Sequence, residues 1–215
     1  MNKKIGAIIF DMNGVLELGK YSEKQTRGHR LMGIHENISR KLKISLDQWF
    51  DAIDSTYAKS IEGKISEEKM IATMSKNVKT SKRKFKRIVI NAHKRHFKEN
   101  KQLFKQAFKL KKQGYKIAIL SDQWPLSKKA LMPERYIKKF DEVVISCDVK
   151  MRKPNPKIYK LMLRKLNLPA KKCIFIDNQK WNLTPAKKLG MKTILFENNN
   201  TTLKKLQKLL ASTLI

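Results

Sequence analysis

Short apolar runs alternate along the chain with longer segments in which apolar residues recur every three or four positions. Five runs are typical of buried strands: residues 5–10, 116–120, 142–145, 173–176 and 193–196. Helical spacing follows or precedes them at residues 103–110, 158–166, 186–189 and 202–210. Strands that alternate with amphipathic helices indicate a parallel sheet with right-handed crossovers. The pattern therefore predicts an α/β fold.

One long segment, residues 17–100, interrupts this alternation. It contains no convincing strand, but helical spacing occurs at residues 44–57, 66–74 and 85–97. A turn at Glu62-Gly63-Lys64 separates the first two helices. We therefore predict a helical cap domain, residues 19–99, inserted into a core domain made of residues 1–18 and 100–215.

The charge of the chain favours anionic partners. Lys and Arg number 49 against 18 acidic residues, a formal net charge of +31. Phosphorylated metabolites, nucleic acids and acidic proteins all fit this charge. The basic residues are spread over the whole length, and the Lys-rich cluster at residues 81–87 is interpreted as a solvated helix face. A small phosphorylated metabolite is therefore favoured over nucleic acid.

The cysteines and the chain start bear on the cellular compartment. Cys147 and Cys173 lie in apolar stretches that are typical of strands and lack metal-ligand spacing, so we expect reduced core residues. The N-terminus runs directly into the first strand, which leaves no room for a signal peptide, and no apolar run is long enough to span a membrane. A cytoplasmic protein without a membrane partner is expected.

Polar residues follow the predicted strands where the strands end. They are Asp11 after the first strand, Ser121 and Asp122 after the second, and Asp177, Asn178 and Asn182 after the fourth. Ligands of open α/β sheets bind beyond the carboxyl ends of the strands. Lys153 precedes two prolines that fix the backbone near the start of a helix. We expect these side chains to converge at one edge of the sheet.

This combination is suited to phosphoryl transfer. The Asp11 carboxylate can form an aspartyl phosphate, and Lys153 with a divalent cation can neutralise phosphate charge. The Ser121 hydroxyl can hold a phosphate oxygen. The simpler alternative is that Asp11 only caps the turn that follows the first strand, as Asp often does.

The ordered motifs resemble those of the haloacid dehalogenase (HAD) superfamily. They are FDMNGVL at 10–16, LS at 120–121, RKPNPKIY at 152–159, and FIDN at 175–178 with Asn182. Residues 151–159 and 188–191 most resemble a subfamily IA branch that contains glucose-1-phosphate phosphatases and the N-terminal phosphatase domain of soluble epoxide hydrolases. The resemblance runs from residue 5 to about 196. It implies a Rossmann-like, doubly wound parallel sheet with a helical C1-type cap inserted after the first strand.

The resemblance also implies roles for individual residues. The catalytic set would be Asp11, Asn13, Ser121 and Lys153, with Asp11 attacking phosphorus. The phosphate-binding set would be Ser121, Asp122, Lys153 and Asn182. Magnesium would be held by Asp11, the backbone carbonyl of Asn13, Asp177 and Asn178.

Two departures from the family pattern each remove a carboxylate. Asn13 occupies the position where most phosphatases of the family carry the Asp that protonates the leaving oxygen, and an amide cannot exchange that proton near neutral pH. Asn178 stands where the family usually has an Asp that ligates magnesium, so Mg²⁺ should be held more weakly. Phosphate esters with good leaving groups should be affected least.

A magnesium-dependent phosphatase that acts on a small phosphomonoester is the favoured function. One alternative is a weak or inactive relative that binds a phosphorylated ligand in a regulatory role. Another is a dehalogenase, which is disfavoured because no aromatic residue stands at position 13, the acidic motif Asp177-Asn178 is present, and no halide-binding set of Arg and aromatic residues is identified. Trp49, Phe50, Tyr57 and Trp124 are candidates for lining the substrate cleft.

Overall fold

The computed structural model describes residues 5–19, 32–132 and 134–211. Its strands are β1 (Ala7–Phe10), β2 (Glu17–Gly19), β3 (Phe97–Glu99), β4 (Lys116–Ser121), β5 (Glu142–Ile145), β6 (Cys173–Asp177) and β7 (Lys192–Leu195). Its helices are α1 (Met32–Leu42), α2 (Leu46–Ile61), α3 (Glu67–Asn77), α4 (Lys82–His96), α5 (Lys101–Lys112), α6 (Pro125–Leu131), α7 (Glu134–Ile137), α8 (Ser146–Val149), α9 (Pro156–Leu166), α10 (Lys180–Lys188) and α11 (Asn199–Ala211). A short 3₁₀ helix, Ala170–Lys172, precedes β6.

Five strands form one parallel sheet in the order β5-β4-β1-β6-β7. Alternate side chains of β1 enter two different hydrophobic clusters: Ile8 and Phe10 pack with residues of α5 and α11, whereas Ala7 and Ile9 pack with residues of α9 and α10. A strand that is buried on both faces needs a continuous apolar sequence, which β1 has. The predicted α/β fold with a Rossmann-like parallel sheet is confirmed.

The sheet register brings the ends of three strands together. Phe10 at the end of β1 pairs with Ile119 of β4 and with Ile176 of β6. The next residues along the chain are therefore level with each other, which sets Asp11 beside Asp177.

Helices α1 to α4 lie between β2 and β3 along the chain and share a hydrophobic cluster that includes Trp49, Met74 and Phe85. Ser45, Ser66 and Ser81 cap helices α2, α3 and α4 by accepting a backbone N–H bond. Trp124, Leu126 and Leu131 of the segment after β4 belong to the same cluster. We use "cap" for α1 to α4 and "core" for the parallel sheet with its flanking helices.

The structure corrects two sequence predictions. Residues 17–100 do contain strands, because β2 and β3 form a two-stranded antiparallel sheet. Three-residue strands are too short to show an alternating pattern. Cys147 lies half-buried in α8 instead of inside a strand. The apolar run of β5 ends at Ile145, and α8 begins at Ser146, whose hydroxyl binds the backbone of Gln123. Cys173 is buried in β6 as expected.

Within the described ranges, none of the helices has the length and apolar character that crossing a bilayer requires.

Candidate active site

Lys153 joins two carboxylates at the carboxyl edge of the sheet. Its Nζ atom lies 3.0 Å from Asp11 Oδ1 and 2.7 Å from Asp177 Oδ2. All three residues are buried, and Asp11 is fixed by a 2.9 Å hydrogen bond from its backbone N–H to the Ile176 carbonyl. Of the side chains predicted to converge at this edge, Asp11, Lys153 and Asp177 are therefore in direct contact.

Asp177 is fully enclosed by hydrogen-bond donors. Its Oδ2 accepts from Lys153, its Oδ1 accepts from the backbone N–H of Gln179 at 2.7 Å, and the Asn182 amide donates to both oxygens at 3.1 and 3.2 Å. Asp11, Lys153 and Asn182 line the cleft described below, but Asp177 does not. Asp177 therefore holds the side chains of Lys153 and Asn182, which do line the cleft.

Burial and charge shift the pKa values of this group. Burial raises the pKa of Asp11 above its ordinary range, and the nearby Asp177 raises it further, while Lys153 lowers it. Burial lowers the pKa of Lys153, but the carboxylates of Asp11, Asp177 and Asp122 together raise it above its usual value. Lys153 is therefore a permanent positive charge under the cleft.

The backbone around Lys153 is held by the neighbouring strand end. Asp122 Oδ1 accepts a 3.1 Å hydrogen bond from the Lys153 N–H, and the Lys153–Pro154 peptide bond is cis. Asn155 then caps α9, with Pro156 at its first position. Asp122 thus positions Lys153, and its own pKa is raised by burial.

Gln123 was not among the predicted site residues. It is 1% exposed, and its Nε2 donates to Asn13 Oδ1 at 2.8 Å and to Ser121 Oγ at 3.1 Å. The Gln123 N–H donates to Ser146 Oγ, which in turn donates to the Gln123 carbonyl. Its position three residues beyond the apolar end of β4 is the one sequence signal that could have suggested it.

Asn178 packs against the turn that follows Asp11. Gly14 has a φ of 82°, and a Cβ atom added there would overlap the Asn178 amide. The Asn178 carboxamide therefore lies directly on the Asp11-to-Gly14 turn, and only glycine allows this close approach. Both Asn178 and Asn13 line the cleft.

The donor set fits a weakly held magnesium ion. Asp11 Oδ1 is buried and accepts no hydrogen bond beyond its ion pair with Lys153, and the neutral Asn178 amide lies beside the same turn. Within the described ranges, no cluster of three or more His, Cys, Asp or Glu side chains could hold a metal. Mg²⁺ prefers oxygen ligands and retains several waters, so one carboxylate with amide and carbonyl oxygens is a suitable but weakly charged site.

A cleft of about 410 Å³ lies over Asp11. The cap side of its wall consists of Ile34, His35, Ile38, Trp49, Tyr57, Ile61 and His93, and Phe97 of β3 also lines it. Trp124, from the loop after β4, also lines it, so three of the four proposed lining residues are confirmed. Phe50 is not a lining residue and is exposed. Trp181 stands in the wall at 62% exposure.

The two cap histidines in this wall are held neutral. The Trp49 indole donates to His35 Nδ1 at 2.8 Å, and His93 Nδ1 lies 2.8 Å from the Val89 carbonyl, so it carries the hydrogen. Burial lowers the pKa of each imidazole to about 4. The cap wall is therefore uncharged at neutral pH.

A buried carboxylate at the end of the central strand, ion-paired to lysine under a helical cap, forms a candidate hydrolase site on an α/β fold. The chain belongs to the haloacid dehalogenase-like hydrolases, because that family's model matches residues 29–196. This matched range begins after Asp11.

One sequence relative and two solved structures resemble nearly the whole chain. Pig bifunctional epoxide hydrolase 2 is 27% identical over 94% of this chain, and the chain covers 38% of that protein. A predicted HAD-like hydrolase from Porphyromonas gingivalis superposes with a TM-score of 0.74 at 21% identity, covering 96% of this chain and 98% of that one. A HAD family enzyme from Bacteroides thetaiotaomicron, in complex with magnesium and inorganic phosphate, gives 0.72 at 18% identity, covering 93% and 98%.

The shorter matches include a phosphatase and a dehalogenase. Glyceraldehyde 3-phosphate phosphatase from Pyrococcus abyssi is 30% identical over 43% of this chain and 40% of its own. (S)-2-haloacid dehalogenase 4A from Burkholderia cepacia is 33% identical over 40% of this chain and 38% of its own.

Proposed function

We propose that this hydrolase is a cytoplasmic phosphatase that cleaves a small phosphomonoester through an aspartyl phosphate on Asp11. The observation that carries the proposal is the Lys153 ammonium, 3.0 Å from Asp11 and 2.7 Å from Asp177 at the floor of the cleft. A fixed positive charge beside a carboxylate nucleophile offsets the repulsion between that carboxylate and a phosphate dianion.

In the first half-reaction, an Asp11 carboxylate oxygen attacks phosphorus and the bond to the leaving oxygen breaks. Lys153 neutralises the combined charge, and the Ser121 hydroxyl, fixed by Gln123, donates to a phosphate oxygen. A water then attacks phosphorus, which releases inorganic phosphate and restores the Asp11 carboxylate. The cap excludes bulk water from these steps.

Asp11, the Asn13 carbonyl and Asn178 would hold Mg²⁺ beside the phosphate. When bound, the ion would add positive charge to the phosphate oxygens. Asp177 would contribute through Lys153, since its own oxygens already accept hydrogen bonds. This division of roles differs from the direct ligation expected of Asp177 from the sequence.

Phosphate release from a panel of phosphomonoesters at saturating Mg²⁺ tests the proposal. Asp11→Asn should abolish release, whereas Asp54→Asn, the same change at an exposed position of α2, should leave it unaltered. Release that persists in Asp11→Asn would overturn the proposed nucleophile. Halide release from 2-haloacids without metal would establish the dehalogenase alternative.

A second candidate function is phospho-ligand binding without turnover. It is favoured by the neutral side chains of Asn13 and Asn178 beside Asp11. Inorganic phosphate that raises the melting temperature of a protein with no phosphatase activity on the whole panel would support it.

A further inference from the structure

The Asn13 side chain is held in one orientation beside the cleft. Gln123 Nε2 donates to Asn13 Oδ1 at 2.8 Å, and Gln123 is itself fixed through two hydrogen bonds to Ser146. The Asn13 oxygen is therefore engaged on the Gln123 side. Its amide nitrogen Nδ2 makes no hydrogen bond to any residue that the structure describes, so the N–H groups remain available to a ligand.

An amide in this place can donate a hydrogen bond but cannot release a proton. The other ionisable groups of the described cleft wall are poor proton donors. Burial raises the pKa of Tyr57, and Arg152, on the core side of the wall, is ion-paired with Glu62 at 3.5 Å. His35 and His93 are neutral above pH 5 because burial lowers their pKa values, and Lys153 is committed to two carboxylates. Asp122 accepts the backbone N–H of Lys153, which ties it to the floor.

The organic part of the ligand faces an aromatic wall. Tyr57 and Trp124 contact edge to face with ring centroids 5.4 Å apart, and His93 lies 5.9 Å from Trp124. The cap residues that line the described cleft include no Lys, Arg, Asp or Glu, although the chain carries a net charge of +31. Arg152 lines the core side of the cleft, where it is ion-paired with Glu62. The cap side suits a flat, uncharged ring, since aromatic pairs gain energy from edge and offset contacts.

We infer that the substrates are aryl phosphate monoesters, whose leaving group departs as a stabilised anion. The inference rests on the proposed phosphatase function and specifies its substrate class. Asp11 Oδ forms a bond to phosphorus as the P–O(aryl) bond breaks, and the aryloxide leaves with the electron pair. Asn13 Nδ2–H donates a hydrogen bond to that oxygen and keeps its proton. The aryloxide takes a proton from water after release.

In this scheme Gln123 is a positioning residue, because it acts on the leaving group only through Asn13. Its Nε2 engages the Asn13 oxygen, which leaves the N–H groups as the part of this amide that can bind the reacting oxygen. A reversed amide would present a lone pair to the developing aryloxide, which would repel it.

The direct test is kcat/KM of the full-length protein with 4-nitrophenyl, 4-chlorophenyl, phenyl and 2-phenylethyl phosphates at saturating Mg²⁺. The ring is shared, while the acidity of the leaving group falls along the series. We expect kcat/KM to fall steadily, by at least about 100-fold from first to last, which is the rate contribution typical of the missing acid catalyst. Acetyl phosphate, which has a good leaving group but no ring, should show a KM at least about 10-fold higher than 4-nitrophenyl phosphate.

Variants then assign the effect to residues. Asn13→Asp should narrow the ratio between the 4-nitrophenyl and 2-phenylethyl esters by about 100-fold. Gln123→Met should lower kcat with little change in KM, whereas Gln207→Met, an exposed glutamine of α11, should change neither. Asp122→Asn tests whether Asp122 protonates the leaving group instead. We expect this variant to leave the ratio between the 4-nitrophenyl and 2-phenylethyl esters unchanged.

The outcomes distinguish the two proposals. Phosphate release from none of the esters would overturn the proposed phosphatase function and this inference with it. Values of kcat/KM within about threefold for all four ring esters would overturn the aryl phosphate inference alone. A steeper fall of kcat/KM along the series in Asp122→Asn would do the same. The kcat/KM values of the unaltered protein with the four ring esters test the aryl phosphate inference even if Asn13→Asp fails to fold.

Discussion

Asp177 Oδ2 lies 2.7 Å from Lys153 Nζ, and neither side chain is more than 1% exposed. The lysine thus carries a charge that the solvent cannot screen, and Asp177 keeps it beside Asp11. Because both oxygens of Asp177 are already hydrogen-bonded, we expect its effect on the proposed reaction to pass through this lysine.

Replacing Lys153 with Met should leave two buried carboxylates without a partner. Removing one side of a buried ion pair costs about 3 to 5 kcal/mol of stability, because the remaining charge is desolvated. We expect Lys153→Met to lose that much free energy of unfolding at pH 7 in a urea titration, along with its activity. Lys79→Met, at an exposed lysine in the turn between α3 and α4, is the matched control. Equal stability of the two variants would contradict the buried triad.

Glu17 should make the stability of the fold depend on pH. It is 4% exposed, lies opposite Glu99 in the β2–β3 pair, and has its pKa raised to about 7, first by burial and then by Glu99, while Arg135 lowers it. A carboxyl group whose pKa is higher in the folded state than its ordinary 4.5 favours folding when protonated. Its contribution is present below pH 4.5 and is lost as the pH rises to about 7.

Glu17→Gln should therefore be more stable than the unaltered protein at pH 8, by at most about 3 kcal/mol at 1.4 kcal/mol per pKa unit. The difference should shrink toward pH 4. Thermal unfolding of both proteins across this range measures it, and Glu68→Gln, an exposed change on α3, supplies the baseline. A difference that does not vary with pH would show that Glu17 titrates normally.

Gly14→Ala should displace Asn178 from the turn that carries Asp11. Gly14 has a positive φ, and its Cβ would overlap the Asn178 amide. Gly190→Ala provides a close control, because φ is also positive there but an added Cβ meets only Ala170 at 3.9 Å. Both variants should lose about 1 to 2 kcal/mol from the backbone strain. Only Gly14→Ala should also raise the magnesium concentration for half-maximal activity, by at least about 10-fold.

Asn178→Asp should strengthen magnesium binding. A carboxylate brings the charge that the amide lacks, and hard cations bind more tightly as the charge of their ligands rises. We expect the half-saturating magnesium concentration to fall at least about 10-fold. Asn91→Asp, on an exposed position of α4, controls for the change in net charge. An identical magnesium requirement in both variants would place the ion away from Asn178.

The sheet and the residues at its edge were predictable because they depend on patterns. Fully buried parallel strands need continuous apolar runs, and parallel strands end at the same edge, so Asp11, Ser121 and Asp177 were found from the sequence. The contacts among side chains were not predictable. Gln123 belongs to no periodic pattern, and the enclosure of Asp177 by Asn182 and Gln179 depends on the turn after β6.

The cap was predictable only in part. Trp49 is fully buried in the hydrophobic cluster of the cap, and it also lines the cleft. An amphipathic pattern in the sequence predicts burial in both cases, so it does not show which buried residues reach the cleft. Phe50, the next residue, points elsewhere, and neighbouring helical positions differ in this way because they face different directions.

Mass spectrometry of the protein quenched with acid during turnover of 4-nitrophenyl phosphate tests directly whether Asp11 is the nucleophile. We expect a phosphoryl group on Asp11, in the peptide that contains β1, which appears before the steady state and is absent from Asp11→Asn. Sustained phosphate release with Asp11 unmodified at every quench time would contradict an aspartyl phosphate mechanism.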